Sequence, residues 1–170
     1  GALKKNVVNP MLQILEAWGW PYEYIRSGSE PRLEIGDNTY YLFGANTEAA
    51  QDALQGLTAA GAYLDEAALF PQSFIDQAIG RCSVEGAKIW MNCNPENPHH
   101  YIREEFLLPE KRKKKKVYHL HFMMTDNLTL SPKTIEKYKS RWEPGSVFYK
   151  RFILGLWVAA EGLIYQQFAD

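Results

Sequence analysis

Two adjacent carboxylates, Asp65 and Glu66, close the apolar run Gly61-Ala62-Tyr63-Leu64. An unbroken apolar run predicts a strand buried in a parallel sheet, and ligands of open α/β sheets bind just beyond the carboxyl ends of such strands. At that position the first acid can hold Mg²⁺, directly or through water, and the second can polarise the water that attacks a γ-phosphate. The pair therefore predicts phosphoryl-transfer chemistry at the end of this strand.

An apolar run closed by Asp-Glu is the sequence form of a Walker B strand, and it has a simpler alternative. Acids also favour the N-terminus of a helix, where the helix dipole stabilises negative charge. On that interpretation Asp65 and Glu66 only begin a helix and carry no chemistry. The neighbouring elements are needed to choose between the two.

A second polar cluster follows the next predicted strand, Ala87–Met91. It consists of Asn92-Cys93-Asn94 and begins 27 residues after Asp65. An amide can donate a hydrogen bond to a phosphate oxygen and accept one from water, which suits a group that detects the γ-phosphate. Asparagine before proline is also a common turn initiator. The pairing of this cluster with the acids one β-α-β unit earlier favours the nucleotide interpretation.

The elements that precede the acid pair are a helix and a β section. Asn9-Pro10 predicts an N-cap with proline at the first helical position, and Gly19 predicts the end of this helix. A strand, a hairpin around a turn at Gly36-Asp37-Asn38 and a short Ala-rich helix follow. Their predicted bounds are Tyr22–Ser27 for the strand, Arg32–Ile35 and Thr39–Phe43 for the hairpin, and Thr47–Leu54 for the helix.

After the acid pair, apolar residues recur at helical spacing and predict a helix that packs its stripe into the core. The stripe is formed by Phe74, Ile75, Ala78, Ile79 and Cys82. The strand Ala87–Met91 and a helix capped by Asn97-Pro98 come next, and His99-His100 are expected to support the loop at that cap. This alternation of strands and helices predicts an α/β fold with a parallel sheet.

Charge is unevenly placed along the chain, because Lys111 to Lys116 form an unbroken basic run within a predicted loop that starts at Glu110. The run could contact DNA phosphates through Lys113, Lys114, Lys115 and Lys116. It could equally be a solvated loop or mimic a nuclear localisation signal. The sequence leaves these alternatives open.

The remaining elements are predicted from alternation and capping. Val117–Phe122 alternates as a half-buried strand with His119 and His121 on one face, and the absence of a nearby third ligand argues against a metal site there. The tryptophans are expected in the core. The later predictions are a helix from Ser131-Pro132 to Glu143-Pro144-Gly145, a helix at Val147–Leu154, and strand and linker from Gly155 to Asp170.

Length and composition exclude several classes of protein. The 170 residues carry a net charge of −1 with 23% charged residues, which argues against a disordered chain and a wholly basic nucleic-acid module. Cys82 and Cys93 have no CxxC spacing, so neither a disulfide scaffold nor a zinc knuckle is expected, and a reducing compartment fits. No apolar run is long enough for a membrane span.

Taken together, the short motifs of the chain follow one another in a specific order. They are Leu54-Gln55-Gly56-Leu57-Thr58, Gly61-Ala62-Tyr63-Leu64-Asp65-Glu66-Ala67, Asn94-Pro95 with His100-Tyr101, Thr125-Asp126-Asn127, Phe148-Tyr149-Lys150-Arg151, Leu154-Gly155-Leu156-Trp157-Val158, and Glu161-Gly162-Leu163-Ile164-Tyr165 with Phe168. In this order they resemble the large terminase subunit of tailed bacteriophages and prophages, the motor that packages viral DNA. The resemblance covers nearly the whole chain.

The resemblance implies an ATPase of the RecA-like, P-loop NTPase type, with a mostly parallel sheet flanked by helices. Asp65 would be the metal-associated Walker B acid for ATP and Mg²⁺, and Glu66 the catalytic glutamate. Asn92-Cys93-Asn94 lies where the family has its coupling motif, although Cys93 departs from the small hydroxyl or amide residues usual there. Asn94 is favoured over Asn92 as the group that contacts the phosphate.

The resemblance also implies a domain plan. Residues 1–124 would be a partial ATPase core, 125–155 a helical subdomain or lid, and 156–170 a linker into a nuclease domain. No GxxxxGK[ST] is present, so the P-loop is expected before Gly1 and the nuclease acids after Asp170. The sheet is therefore expected to be incomplete at its N-terminal side. The chain is expected to self-associate through the exposed edge of this sheet and to be inactive alone.

The partners that the resemblance implies are double-stranded DNA, the portal protein and the small terminase subunit, with no membrane. The place of action would be the cytoplasm of the bacterial host, at the portal vertex of the procapsid. Two rival functions remain open. One is a helicase core, which would continue into a second RecA-like domain instead of a terminase linker. The other is a non-catalytic α/β module that binds DNA or protein through the basic run.

Overall fold

A computed structural model describes residues 3–26 and 30–159 of the chain. The chain divides into two compact units: the first contains the residues up to Asp65 and residues 69–90, and the second contains residues 66–68 and the residues from Met91 onward. The division separates the two acids, because Asp65 ends a stretch of the first unit and Glu66 begins the second. Within the described ranges, no helix is both long and apolar enough to cross a membrane.

The first unit opens with a π-helical turn, Lys4–Val8, that continues into helix α1, Asn9–Trp18. The predicted N-cap at Asn9 is wrong, because Val8 before it already has helical backbone angles and is buried. The wider π-turn accommodates Pro10, which has no N–H to donate and whose ring crowds the preceding turn. The predicted end is confirmed: Gly19 has φ +66° and caps the helix.

An antiparallel sheet follows, made of strands β1 (Glu23–Ile25), β2 (Arg32–Ile35) and β3 (Asn38–Tyr41) in that order. Ile35 pairs with Asn38, so the hairpin turn is Gly36-Asp37, with Gly36 at φ +56°. Leu33 is fully buried and anchors the hairpin. The predicted hairpin is confirmed, with Asn38 in the strand rather than in the turn; Ser27 lies outside the described residues.

Strands β4 (Gly61–Leu64) and β5 (Lys88–Met91) form a second sheet. The Lys88 N–H donates to Ala60 O at 3.4 Å and the Ala67 N–H donates to Asn92 O at 2.8 Å, so the partners advance in the same direction and the strands are parallel. The predicted parallel sheet is therefore present, and in the described residues it has two strands.

The connection between β4 and β5 contains a 3₁₀ turn, Ala67–Leu69, and helix α2, Gln72–Arg81. Phe74, Ile75 and Ala78 of α2 are buried, which confirms the predicted core stripe at three of its five positions, while Ile79 and Cys82 are half-buried. The Ala-rich segment is a 3₁₀ helix, Glu48–Leu54, rather than an α-helix. It is tied to α2 by a hydrogen bond from the Ser73 hydroxyl to the Glu48 carboxylate.

The prediction that β4 and β5 are buried on both faces is wrong for the described chain. Successive side chains of a strand point to opposite faces, and Tyr63 of β4 and Trp90 of β5 remain 55% and 63% exposed. Trp18 and Trp20 are also exposed and pack edge to face at 5.9 Å, so the expectation that the tryptophans are core residues fails for three of five. Unbroken apolar runs predict strands well, but they do not show which faces are covered.

The helical part of the second unit begins at Tyr101-Ile102 and continues as a π-helical segment, Arg103–Leu107. Leu108 has extended backbone angles and separates this segment from helix α3, Pro109–Lys115. The predicted basic loop is wrong, since Lys111 to Lys115 lie in α3. Lysine is a good helix former, proline is favoured at the first helical position, and basic side chains stabilise a helix C-terminus. Lys116 follows in the left-handed conformation, at φ +55°.

The predicted strand at Val117–Phe122 is also wrong. This segment has no ladder partner in the part of the chain that the structure describes, and Tyr118 is 84% exposed. Alternating polarity gives a strand only where a neighbouring strand accepts its backbone hydrogen bonds. A 3₁₀ turn, Met124–Asp126, follows.

Two helices complete the described part of the second unit. In α4 (Pro132–Lys139), the Ser131 hydroxyl accepts the Thr134 N–H, which confirms the predicted cap. The helix ends at Lys139, before the predicted stop at Glu143-Pro144-Gly145. Helix α5 (Val147–Phe152) confirms the predicted closing helix. Of the predicted strand and linker, residues 155–159 have no regular structure, and the rest lies outside the described residues.

Candidate active site

Asp65 directly follows β4 in the first unit. Its side chain is half-buried, and its Oδ1 accepts a hydrogen bond from the Tyr63 hydroxyl at 3.2 Å. The apolar strand thus delivers a carboxylate to its carboxyl end, as the sequence predicted, and a neighbouring side chain orients it.

Glu66, the next residue, has φ +56° and an exposed side chain. A residue with a Cβ pays about 1–3 kcal/mol for a left-handed backbone, and such residues persist where the surrounding structure holds them. Two hydrogen bonds hold this one. Asn92 Oδ1 accepts the Glu66 N–H at 2.8 Å, and Asn92 O accepts the next N–H, that of Ala67, also at 2.8 Å.

The same geometry bears on the helix-start alternative. Helix α2 begins only at Gln72, after a 3₁₀ turn at Ala67–Leu69 and Pro71, so neither acid lies in its first turn. The left-handed Glu66 also departs from helical geometry. The dipole of α2 therefore does not account for the acid pair.

The two asparagines occupy different environments. Asn92 holds the Glu66 turn, whereas Asn94 is exposed and makes no hydrogen bond within the described residues. Between them, Cys93 is half-buried, and burial and the nearby Glu96 carboxylate raise the pKa of its thiol. Both effects favour the thiol over the thiolate, the reactive form of cysteine. The structure brings Asn92, rather than Asn94, to the backbone of Glu66.

His100 is a site residue whose contacts could not be predicted from the sequence. Its Nδ1 accepts the Ile102 N–H at 3.1 Å, so the ring proton lies on Nε2 and is donated to Ala68 O at 3.0 Å. Its ring lies 5.8 Å from that of Trp157. The expectation that His100 supports the loop is confirmed, but its partner is the carbonyl two residues after Glu66.

The basic run divides into paired and unpaired charges. Glu105 receives hydrogen bonds from Lys111 and Lys115, both at 2.8 Å, and these lower the pKa of Glu105 to about 2. Lys115 also lies 4.5 Å from the Phe106 ring centre. Lys113, Lys114 and Lys116 are exposed and pair with no carboxylate within the described residues.

The two histidines of the predicted strand have a packing role. Their ring centres are 6.4 Å apart, and burial, Arg112 and His121 lower the pKa of His119. The ring of His121 packs on Gly155, where an added Cβ would lie 2.5 Å from the His121 Cε1 atom. No group of three or more potential metal ligands occurs in the described ranges.

Mg²⁺ is usually held in nucleotide sites by one or two carboxylates together with water and substrate phosphates, without a protein cage. A half-buried aspartate at a strand end, followed by an exposed glutamate, fits that donor set. The lack of a three-ligand cluster in the described residues is compatible with it.

Comparisons with known proteins identify the chain's relatives. The family model described as "Terminase large subunit, T4likevirus-type, N-terminal" matches residues 13–169. Three structures of the large terminase from a thermophilic bacteriophage are also similar. One, at 45% identity and TM-score 0.84, covers 100% of this chain and 41% of that chain.

The other two structures of this thermophilic-phage terminase contain nucleotides. The complex with ADP is 44% identical, with TM-score 0.81, and covers 93% of this chain and 38% of that chain. The complex with ATP-γ-S is 42% identical, with TM-score 0.78, and covers 93% and 37%. A search of curated proteins gave no match.

The chain spans about two fifths of the length of the terminase chains it matches. By the family model and these identities, the chain belongs to the large terminase subunit family and corresponds to its N-terminal region.

Proposed function

We propose that this chain is the ATPase region of a phage terminase large subunit, which couples ATP hydrolysis to the movement of double-stranded viral DNA into a procapsid. The observation that carries the proposal is Glu66, an exposed acid held in a left-handed backbone by Asn92 directly after Asp65. The ADP and ATP-γ-S bound to the thermophilic-phage terminase support a nucleotide as the ligand. On this proposal the fold is RecA-like.

Each residue of the site has a distinct role. Asp65, oriented by Tyr63, holds Mg²⁺ directly or through water. The bound ion would neutralise phosphate charge during transfer. Glu66 accepts a hydrogen bond from the attacking water and orients it, and Asn92 fixes the Glu66 backbone so that the carboxylate stays in place. Asn94, exposed two residues later, donates to a phosphate oxygen.

The proposal extends to the domain plan and to the partners. Residues 1–124 form part of the ATPase core, 125–155 a helical lid and 156–170 a linker to a nuclease domain. Double-stranded DNA lies against the exposed lysines at the end of α3, and the portal protein and small terminase subunit are the protein partners. The complex acts in the cytoplasm of the bacterial host, at the portal vertex of the procapsid.

The test is ATP hydrolysis by the parent subunit, meaning the natural polypeptide in which this chain occurs. Glu66→Gln keeps the size of the side chain and removes its charge, so we expect kcat to fall about 10²–10⁴-fold, the range of a general base, while ATP still binds. Glu85→Gln is the matched control, because Glu85 is exposed and forms no ion pair within the described residues. Hydrolysis that is equal in the two variants would reject the role of Glu66.

A further inference from the structure

Three segments that are distant in sequence are joined in the second unit. They are the turn Glu66–Ala68, the loop of residues 92–100, and the segment of residues 155–159. The loop reaches the turn at both of its ends, through Asn92 at one and His100 at the other. The turn that carries Glu66 is therefore held by this loop on either side of Ala67.

The middle of the same loop is bound to the segment of residues 155–159. Arg151, at the end of α5, is 13% exposed and donates to Glu96 Oε2 at 2.6 Å through Nη1. Its Nε and Nη2 donate to Val158 O at 3.2 and 2.8 Å. The Val158 N–H in turn donates to Glu96 O at 3.1 Å. We call Arg151, Glu96 and Val158 the clasp.

The clasp is a stiff connection for a physical reason. A guanidinium presents its donors in a fixed planar fork, and charge-assisted hydrogen bonds of this kind are short and directional. Trp157, next to Val158, also packs against His100, which binds the Glu66 turn. The loop is therefore joined to the Glu66 turn at Asn92 and His100 and to residues 155–159 at Glu96 and His100.

We propose that the clasp and His100 are a positioning link that transmits the nucleotide state of the Glu66 turn to residues 155–159. The inference rests on the proposed function, since it requires Glu66 to respond to nucleotide. The element with two states is the Glu66 backbone itself, whose left-handed conformation is costly and depends on the Asn92 contacts. A change in the Glu66 backbone conformation would alter its hydrogen bonds to Asn92 and displace Asn92. The loop of residues 92–100 would then transmit this displacement to the clasp.

The first experiment measures backbone hydrogen exchange in the parent subunit, with and without ATP-γ-S. We expect nucleotide to change protection both at residues 66–68 and at residues 155–159. Arg151→Lys retains the positive charge but loses the fork, and we expect it to abolish the change at 155–159 while leaving the change at 66–68. Arg141→Lys, at an exposed arginine, is the matched control and should behave as the unmodified protein.

The second experiment measures DNA moved per ATP hydrolysed for the same variants. Arg151→Lys should lower this ratio about 2- to 30-fold, the span of coupling energies in proteins, with ATP turnover nearly unchanged. If the clasp only stabilised the fold, its loss would lower the rates of DNA movement and of ATP hydrolysis together. Glu96→Gln keeps an oxygen acceptor for Arg151, so it should lower the amount of DNA moved per ATP hydrolysed less than Glu96→Ala does.

The outcomes are separable. If nucleotide still changes protection at residues 155–159 in Arg151→Lys, the link is overturned and the proposed function remains intact. The same holds if nucleotide changes protection at residues 66–68 but not at residues 155–159 in the unmodified subunit. Absence of any response at 66–68 together with absence of ATP hydrolysis overturns the proposed function and the link with it.

Discussion

The Glu66 turn and the basic helix α3 are the two regions for which the sequence predicted chemistry, and they are built in opposite ways. The turn joins residues 26 positions apart and holds one acid in a costly backbone conformation. Helix α3 is a contiguous run of charge, and two of its lysines are paired to a single carboxylate, that of Glu105.

The difference shows what makes a charged group available for function. In the turn, the backbone N–H groups of Glu66 and Ala67 donate to Asn92 and hold the left-handed conformation. Because these hydrogen bonds use backbone groups, the Glu66 carboxylate remains exposed to solvent. In α3, the local carboxylate pairs with Lys111 and Lys115 and leaves Lys113, Lys114 and Lys116 exposed. The availability of a charge depends on its partners more than on its position in a motif.

The sharpest way to break this comparison is to remove the support of the turn. Asn92→Ala deletes the acceptor of the Glu66 N–H but leaves both acids. We expect kcat for ATP hydrolysis in the parent subunit to fall about 10²-fold, because a displacement of about 1 Å of a catalytic group has that cost. Asn46→Ala, at an exposed asparagine, is the control; an equal kcat in both variants would show that the turn needs no support from Asn92.

A smaller effect separates the two classes of lysine in α3. Replacing Lys113 and Lys114 by Gln should lower the slope of log K against log salt for DNA binding by about 2, one for each phosphate contact. Replacing Lys111 and Lys115 by Gln removes the same charge, but from residues already paired with Glu105, and should change the slope much less. Equal slopes for the two double variants would mean that net charge alone decides DNA binding.

The smallest expected effect concerns pH. Lys111 and then Lys115 lower the pKa of Glu105 to about 2, from an ordinary value of 4.5. The ionised carboxylate therefore stabilises the fold fully above pH 4.5, and this contribution is lost as the pH falls toward 2. We expect the difference in unfolding midpoint between the chain and Glu105→Gln to shrink through that window. Glu110→Gln, at an exposed acid of α3, is the matched control for the loss of one carboxylate.

Local signals in the sequence predicted much of this architecture. Gly19, the Gly36-Asp37 turn, the Ser131 cap and the α2 stripe act over a few residues, so their physics is contained in the sequence nearby. One error arose where a distant partner decides the outcome: Val117–Phe122 alternates like a strand but has no neighbour to pair with in the described chain. The other error was local, because the lysines of the basic run are good helix formers that follow Pro109, and two of them pair with the nearby Glu105.

The candidate site shows the same limit. The positions of Asp65 and Glu66 at a strand end follow from the apolar run, since strands deliver residues to sheet edges. The left-handed backbone of Glu66 and the contact between His100 and Ala68 do not, because they depend on hydrogen bonds that span 26 and 32 positions of sequence. Composition gave no sign of either.

The left-handed backbone of Glu66 also has an evolutionary consequence. In a library randomised at position 66 and sorted for resistance to heat alone, glycine and asparagine should be enriched, because they accept this conformation at lower cost. The same library sorted for packaging activity should retain glutamate. If Glu66 has the proposed role, selection for stability and selection for activity would favour different residues at position 66, a trade-off expected at functional sites.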